Sequence, residues 1–388
     1  MAYSIQRISP DNGHYFFGYY DLQPFDPSGT LHLAHKAPFM DRLPAKGDSC
    51  QLGLIDLTTG AFEKLADTQS WNFQQGAMLQ WDPAAPGRRI LYNCYLNGDY
   101  AGAVMDIASG QQRFLEKPIA NVSRDGRWGL SINFSRLYNF RPGYGYACQK
   151  DPFFSQNHPA EDGVFLIDMA TGASRLILSL ETLWEFTGSY FDGDRKLVIN
   201  HITFNPDASR FVLLVRNFRT DEKPHKTAVV TADRNGDNLF LLSDYGYFSH
   251  YYWTDNREII AYADGKELAC CCGIQNYRLE DLSQRGSVID PQAFPEDNHM
   301  SLSPDGRYLL NDTYPDGARL QSLGVYDLEA GKNIPLGKFY SAEAPVIDIR
   351  CDLHPRWSHT TGLFSFDSTH EGFRGIYTAS TGGSNLWK

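Results

Sequence analysis

Asn298-His299-Met300-Ser301-Leu302-Ser303-Pro304-Asp305-Gly306 leads through Arg307 into the apolar run 308–310. A Ser-Pro-Asp-Gly turn suits this place, because Asp accepts bonds from the turn backbone and Gly takes positive φ. The pattern of a turn followed by a short apolar strand recurs along the whole chain. Phe25-Asp26-Pro27-Ser28-Gly29 precedes 31–34, Trp81-Asp82-Pro83 precedes 90–92, and Ser123-Arg124-Asp125-Gly126 precedes 128–132. Asn205-Pro206-Asp207 precedes 211–215, Thr254-Asp255-Asn256 precedes 258–262, and Trp357-Ser358-His359 precedes 363–366. With the opening stretch, that makes seven units.

A second turn signal, Asp-x-x-x-Gly, follows in most units: Asp56 to Gly60, Asp106 to Gly110, Asp168 to Gly172 and Asp327 to Gly331. Asp233-Arg234-Asn235-Gly236 and Ser380-Thr381-Gly382 are looser versions, and the fifth unit, around Cys270-Cys271-Cys272, lacks it. Units of about 40–60 residues with two turns and several short strands predict an all-β fold, a seven-bladed β-propeller forming a single domain over residues 1–388. A pair of β-sandwiches is the alternative. The third unit is long, with a Tyr/Pro/Gly-rich insertion over 134–163 and a short helix expected at 180–186.

The units also share a histidine. His201, His250, His299 and His354 each stand three residues before the apolar or aromatic residue that opens the turn. In the first three units that position holds Leu22, Met78 and Ile119. In a propeller these residues fall on the innermost strands, so equal offsets predict imidazoles at equal height on one arc of the central channel. The last of them lies in Arg350-Cys351-Asp352-Leu353-His354-Pro355-Arg356-Trp357-Ser358. Imidazoles with a thiolate form a donor set for a divalent metal, zinc first, with Mn²⁺ or Ca²⁺ as alternatives. The expected ligands are His250, His299, Cys351 and His354. A strand period of two puts Cys351 and His354 on opposite faces, so this set requires a bulge between them.

The formal charge of −11 argues against nucleic acid as a partner, and no stretch of about 20 apolar residues predicts a membrane span. Seven cysteines, three of them consecutive, fit reduced thiols better than a disulfide framework. The opening Met-Ala-Tyr-Ser-Ile-Gln-Arg has no apolar run of secretory length. The expected location is therefore cytoplasmic, or secreted or periplasmic if a leader has been removed. Arg141-Pro142-Gly143-Tyr144-Gly145-Tyr146 places an arginine and two phenols on a glycine-rich loop, suited to holding a carboxylate and exchanging a proton. Tyr20, in Phe16-Phe17-Gly18-Tyr19-Tyr20-Asp21, is a candidate sugar-lining residue. No Gly-x-Ser-x-Gly elbow or phosphate-binding loop is present.

Several of these stretches together resemble the propeller polysaccharide lyases, the oligogalacturonate and ulvan lyases. They are Phe17 to Asp21, Asn298 to Gly306, Asn311-Asp312-Thr313-Tyr314-Pro315-Asp316, Arg350 to Trp357, and Phe366-Asp367-Ser368-Thr369-His370-Glu371-Gly372. The resemblance implies a channel metal held by histidines, an acidic oligo- or polysaccharide as substrate, and cleavage of uronate-containing glycans by β-elimination. Such a reaction needs a cation facing the carboxylate, a base for the C5 proton and an acid for the leaving oxygen. Arg141, Arg216 or Arg356 suit the first role. His201 and Tyr144, or Tyr146, suit the others, because a metal-bound imidazole has given up its basic lone pair. Two departures stand out. Cys351-x-x-His354-x-Arg356 replaces the Gln-x-x-His-x-His of oligogalacturonate lyases, which favours zinc, and Met78 stands where ulvan lyases are expected to carry a functional histidine. The rival reading is a non-catalytic, metal-stabilised propeller that binds glycans or proteins. A glycoside hydrolase is weaker, since no pair of facing carboxylates is evident.

Overall fold

The computed structural model describes residues 4–191, 195–218, 226–244, 246–265, 273–283 and 285–380. Cys270, Cys271 and Cys272, and the Thr381-Gly382 part of the last turn, lie outside the described residues. Seven four-stranded antiparallel sheets, taken in chain order, make a seven-bladed β-propeller, as the repeated turns require. No helix among the described residues is long and apolar enough to cross a membrane. By its contacts the chain divides into two compact units. One comprises Met1–Tyr92, Met105–Gln112 and Gln292–Lys388; the other comprises Asn93–Val104 and Arg113–Pro291.

Six of the first strands of the blades end on the residue that opens the turn: Trp81, Val122, Phe204, Trp253, Leu302 and Trp357. The first blade differs. Its strand His14–Phe16 breaks off, and Phe25 rejoins the sheet through a bridge to His32. The intervening loop carries Gly18, Tyr19 and Tyr20.

The three tryptophans among those strand ends do the same job. Each indole N–H donates to the backbone carbonyl one residue before the residue that opens the preceding blade's turn. Trp81 reaches Pro24 O at 3.0 Å, Trp253 reaches Thr203 O at 3.4 Å, and Trp357 reaches Ser301 O at 3.0 Å. Trp357 also fills a core shared by the sixth and seventh sheets, with Tyr308, Leu310, Leu353, Phe364 and Phe366. Trp357→Phe keeps an aromatic ring but strands the Ser301 carbonyl. It is expected to cost about 1–3 kcal/mol in denaturant unfolding, the loss for a buried acceptor left unsatisfied.

One strand carries no signal in the sequence. Ser4–Arg7 is the outer strand of the seventh sheet and pairs with Gly375–Ser380, Ser4 opposite Ser380 and Arg7 opposite Tyr377. Nothing local marks it, because its partner lies at the other end of the chain. The expected short helix is present at Leu180–Thr187, capped by the Ser179 hydroxyl accepting from the Thr182 amide. The insertion opens with a helix of its own, Phe134–Phe140, capped by Asn133.

Candidate metal centre

His299 directly precedes the strand Met300–Leu302, and Asp312 ends the neighbouring strand Tyr308–Asp312. Met300 pairs with Asn311, so the antiparallel register sets His299 opposite Asp312. The Asp312 carboxylate uses that position fully. It accepts from the His299 amide at 2.8 Å and from His299 Nδ1 at 2.9 and 3.0 Å. It also accepts from the His354 amide at 3.0 Å. One carboxylate thus ties the two histidines together, and their rings meet edge to face with centroids 4.3 Å apart.

The ring nitrogens have fixed roles. His354 Nδ1 lies 2.9 Å from the Gly18 carbonyl, which can only accept, so Nδ1 carries the proton and Nε2 the lone pair. His299 Nδ1 faces a carboxylate, which imposes the same tautomer on its neutral ring. A carboxylate or carbonyl behind Nδ1, with Nε2 as donor, is how proteins orient metal-binding imidazoles. Burial disfavours the charged His299 ring, but the Asp312 carboxylate outweighs it, and the pKa is raised.

The third member is Asp352, buried, its carboxylate gripped by Arg350 through Nε at 2.6 Å and Nη2 at 2.9 Å. The Arg350 guanidinium rests 4.3 Å above the Tyr314 ring. His299, Asp352 and His354 each offer one ligand atom, and these atoms lie within 4.8 Å of one another. Aromatic rings flank the group. Tyr20 stands 5.4 Å from His299, Tyr19 stands 5.2 Å from His354, and Tyr314 stands 5.6 Å from His299. Tyr20 itself is buried, so its place is against the imidazoles.

Cys351 is not in this group. Its thiol is buried, burial pushes its pKa up to about 12, and its sulfur lies 3.9 Å from the Asp352 carbonyl oxygen. Residues 351–355 form no strand, and it is Asp352, not Cys351, whose ligand atom meets those of His299 and His354. His354 has φ +43°, and Met78, at the same offset before Trp81, has φ +54°. Met78 and His354 thus share a backbone shape that the other five positions at this offset do not adopt.

His250 belongs to the second unit. It is buried beside a register break between Phe248 and Tyr251, with Nδ1 3.1 Å from the Ser249 hydroxyl. The same unit draws Arg141, Tyr144 and His201 together. The Tyr144 and His201 rings meet edge to face at 5.3 Å, and the Arg141 guanidinium lies 4.6 Å over the Tyr144 ring. Asn200, displaced by a bulge in Lys196–Phe204, approaches Arg141 Nη1 at 3.4 Å and His201 Nε2 at 3.4 Å. Arg216 is buried within Arg210–Phe218, between Val198 and Thr227.

Two expected substrate-facing residues are corrected. Tyr146 has no exposed surface; it stacks on Phe134 at 4.4 Å, and its hydroxyl accepts from Asn93. It is a packing residue. Arg356 is 1% exposed and spends its charge on Asp367 at 2.8 Å, so it cannot face a glycan carboxylate. Arginine and tyrosine look alike in sequence whether they serve a core or a site.

Asp21, next to Tyr20, has a buried Oδ1 with no hydrogen-bond partner among the described residues. Burial raises its pKa to about 7, against a lowering by its own backbone. An unfolded Asp ionises near its ordinary value of 3.8, so the folded chain holds this proton longer. The stability it contributes is full below that value and is lost as pH rises toward about 7. Asp21→Asn should therefore melt above the parent at pH 8, and the difference should close by pH 4.

No protein-family model matches the chain, and no curated protein sequence matches it significantly. Solved structures do. An oligogalacturonate lyase in complex with manganese superposes with a TM-score of 0.70 at 14% identity, covering 100% of this chain and 98% of that one. An oligogalacturonate lyase from Vibrio parahaemolyticus gives 0.66 at 12%, covering 99% and 98%. The β-propeller domain of the Trilobed protease from Pyrococcus furiosus gives 0.52 at 10%, covering 91% and 93%. The likeness establishes the fold. At such identities it establishes no chemistry, and these structures lend nothing to the ulvan lyase side of the resemblance.

Proposed function

We propose that this protein is a lyase that cleaves uronate-containing oligo- or polysaccharides by β-elimination, with a divalent metal held by His299, His354 and Asp352. The observation that carries the proposal is that cluster. Two buried imidazoles with Nδ1 committed elsewhere meet a buried carboxylate on a fold shared with an oligogalacturonate lyase solved with manganese. The donor set has no thiolate, so imidazole and carboxylate suit Mn²⁺ at least as well as the zinc that Cys351 suggested. A bound divalent ion would polarise the uronate carboxylate and make the C5 proton more acidic.

The chain's own groups would do the rest. Asp312 and the Gly18 carbonyl hold the two imidazoles in one tautomer, and Arg350 holds Asp352. Arg141 is proposed to face a uronate carboxylate. His201 and Tyr144 would share removal of the C5 proton and protonation of the leaving oxygen, since both rings can carry a proton and neither belongs to the metal cluster.

Elimination leaves an unsaturated uronate that absorbs near 235 nm, so the test is a panel of uronate oligosaccharides with added Mn²⁺. Tyr144→Phe and His201→Ala are each expected to lower the rate of absorbance rise by about 10²–10⁴-fold, the range for a lost general acid or base. Metal content and melting temperature should stay at parent values. Parent-like rates in both variants would remove them from the reaction. No unsaturated product from the parent on any substrate of the panel would leave a glycan-binding platform as the reading.

A further inference from the structure

His354 has φ +43°, a left-handed conformation that costs a non-glycine residue roughly 1–2 kcal/mol. Neighbouring groups must hold it there, and Asp367 reaches it from three directions. Its amide donates to the Leu353 carbonyl at 2.8 Å. Its carboxylate takes Nη2 of Arg356 at 2.8 Å, so the residues on either side of His354-Pro355 are both secured by one residue. The same carboxylate accepts from the Phe17 amide at 3.1 and 3.2 Å and from the Gly18 amide at 3.3 Å. Gly18 then turns its own carbonyl to His354 Nδ1 at 2.9 Å.

Gly18 can do this only as glycine. Its φ is +124°, and a Cβ there would sit 3.0 Å from the backbone carbon and oxygen of Gln75. Arg356 and Asp367 are 1% and 3% exposed, so their charges face each other out of water, where breaking one partner is costly. Ion pair, glycine loop and imidazole form one chain of contacts: Arg356 to Asp367, Asp367 to the Phe17 and Gly18 amides, Gly18 carbonyl to His354.

We infer that Asp367, locked by Arg356, is a positioning residue that sets the ring orientation and the Nδ1–H tautomer of His354. Its purpose rests on the metal reading above, but the tautomer does not, and the experiment uses that difference. Metal-free protein labelled with ¹⁵N-histidine reports, through two-bond ¹H–¹⁵N correlations, which nitrogen of each ring is protonated. The parent should show His354 as a single Nδ1–H tautomer. Asp367→Asn should show mixed tautomers and bind Mn²⁺ about 10–100-fold more weakly, the usual loss when the group behind a ligand is removed.

Gly18→Ala displaces the carbonyl while leaving both members of the ion pair in place. It should have the same two effects, and it decides the matter if Asp367→Asn does not fold. An Nε2–H tautomer in the parent overturns the inference. So does a parent tautomer together with parent Mn²⁺ affinity in the folded variants. The expected tautomers without elimination on any uronate glycan would uphold it and sink the lyase reading instead.

Discussion

His299→Ala and His354→Ala are each expected to lose the divalent ion and, with it, about 10³-fold in the rate of unsaturated product formation. That factor corresponds to the several kcal/mol a metal contributes to stabilising developing charge. Elemental analysis and the 235 nm assay check the two halves separately. His299→Ala should also be the less stable of the pair. It leaves the buried Asp312 carboxylate facing a void at the position where Nδ1 donated at 2.9 Å. His354→Ala leaves Asp312 its bonds to His299 and to the backbone amide of residue 354, which alanine retains. Equal metal content in parent and variants would remove these imidazoles from any metal site.

Cys351 and Asp352 are adjacent in sequence and opposite in expected effect. Asp352→Ala should weaken Mn²⁺ binding by at least about 100-fold, since it removes a charged ligand and the group that orients Arg350. Cys351→Ser should leave the affinity unchanged, because the thiol lies outside the cluster and burial keeps it protonated. A hydroxyl at that buried position is expected to lower stability modestly, about 1–2 kcal/mol. Titration of the two variants with Mn²⁺, followed by calorimetry, separates the alternatives. Metal loss in Cys351→Ser with retention in Asp352→Ala would restore the thiolate site.

The fold was legible because turn residues are local. Ser303-Pro304-Asp305-Gly306 and its counterparts act through their own backbone, and the strand ends at Trp81, Phe204, Trp253, Leu302 and Trp357 fall where those turns place them. The strand Ser4–Arg7 was not legible, since its partner is about 370 positions away and four residues carry no period. Within the group of His299, Asp352 and His354, the shared offset points to both histidines, because each stands shortly before its blade's first strand. Asp352 carries no comparable signal, because residues 351–355 form no strand whose period could select it from His354.

Asp312 lay in a stretch whose motif was plain and whose role was not. Only the cross-strand register with Met300 reveals that it faces His299. Arg356 and Tyr146 show the opposite failure. Both are residue types that serve substrate sites, and both are consumed by partners that sequence does not display: Asp367 for one, Phe134 and Asn93 for the other.

The central claim is that an ion is held by His299, His354 and Asp352, and anomalous X-ray scattering at the manganese edge from crystals soaked in Mn²⁺ tests it most directly. The account predicts one strong peak within about 2.0–2.3 Å of Nε2 of both histidines and of an Asp352 oxygen. No peak at that place, or a peak bound by Cys351 Sγ with Asp352 turned away, would contradict it.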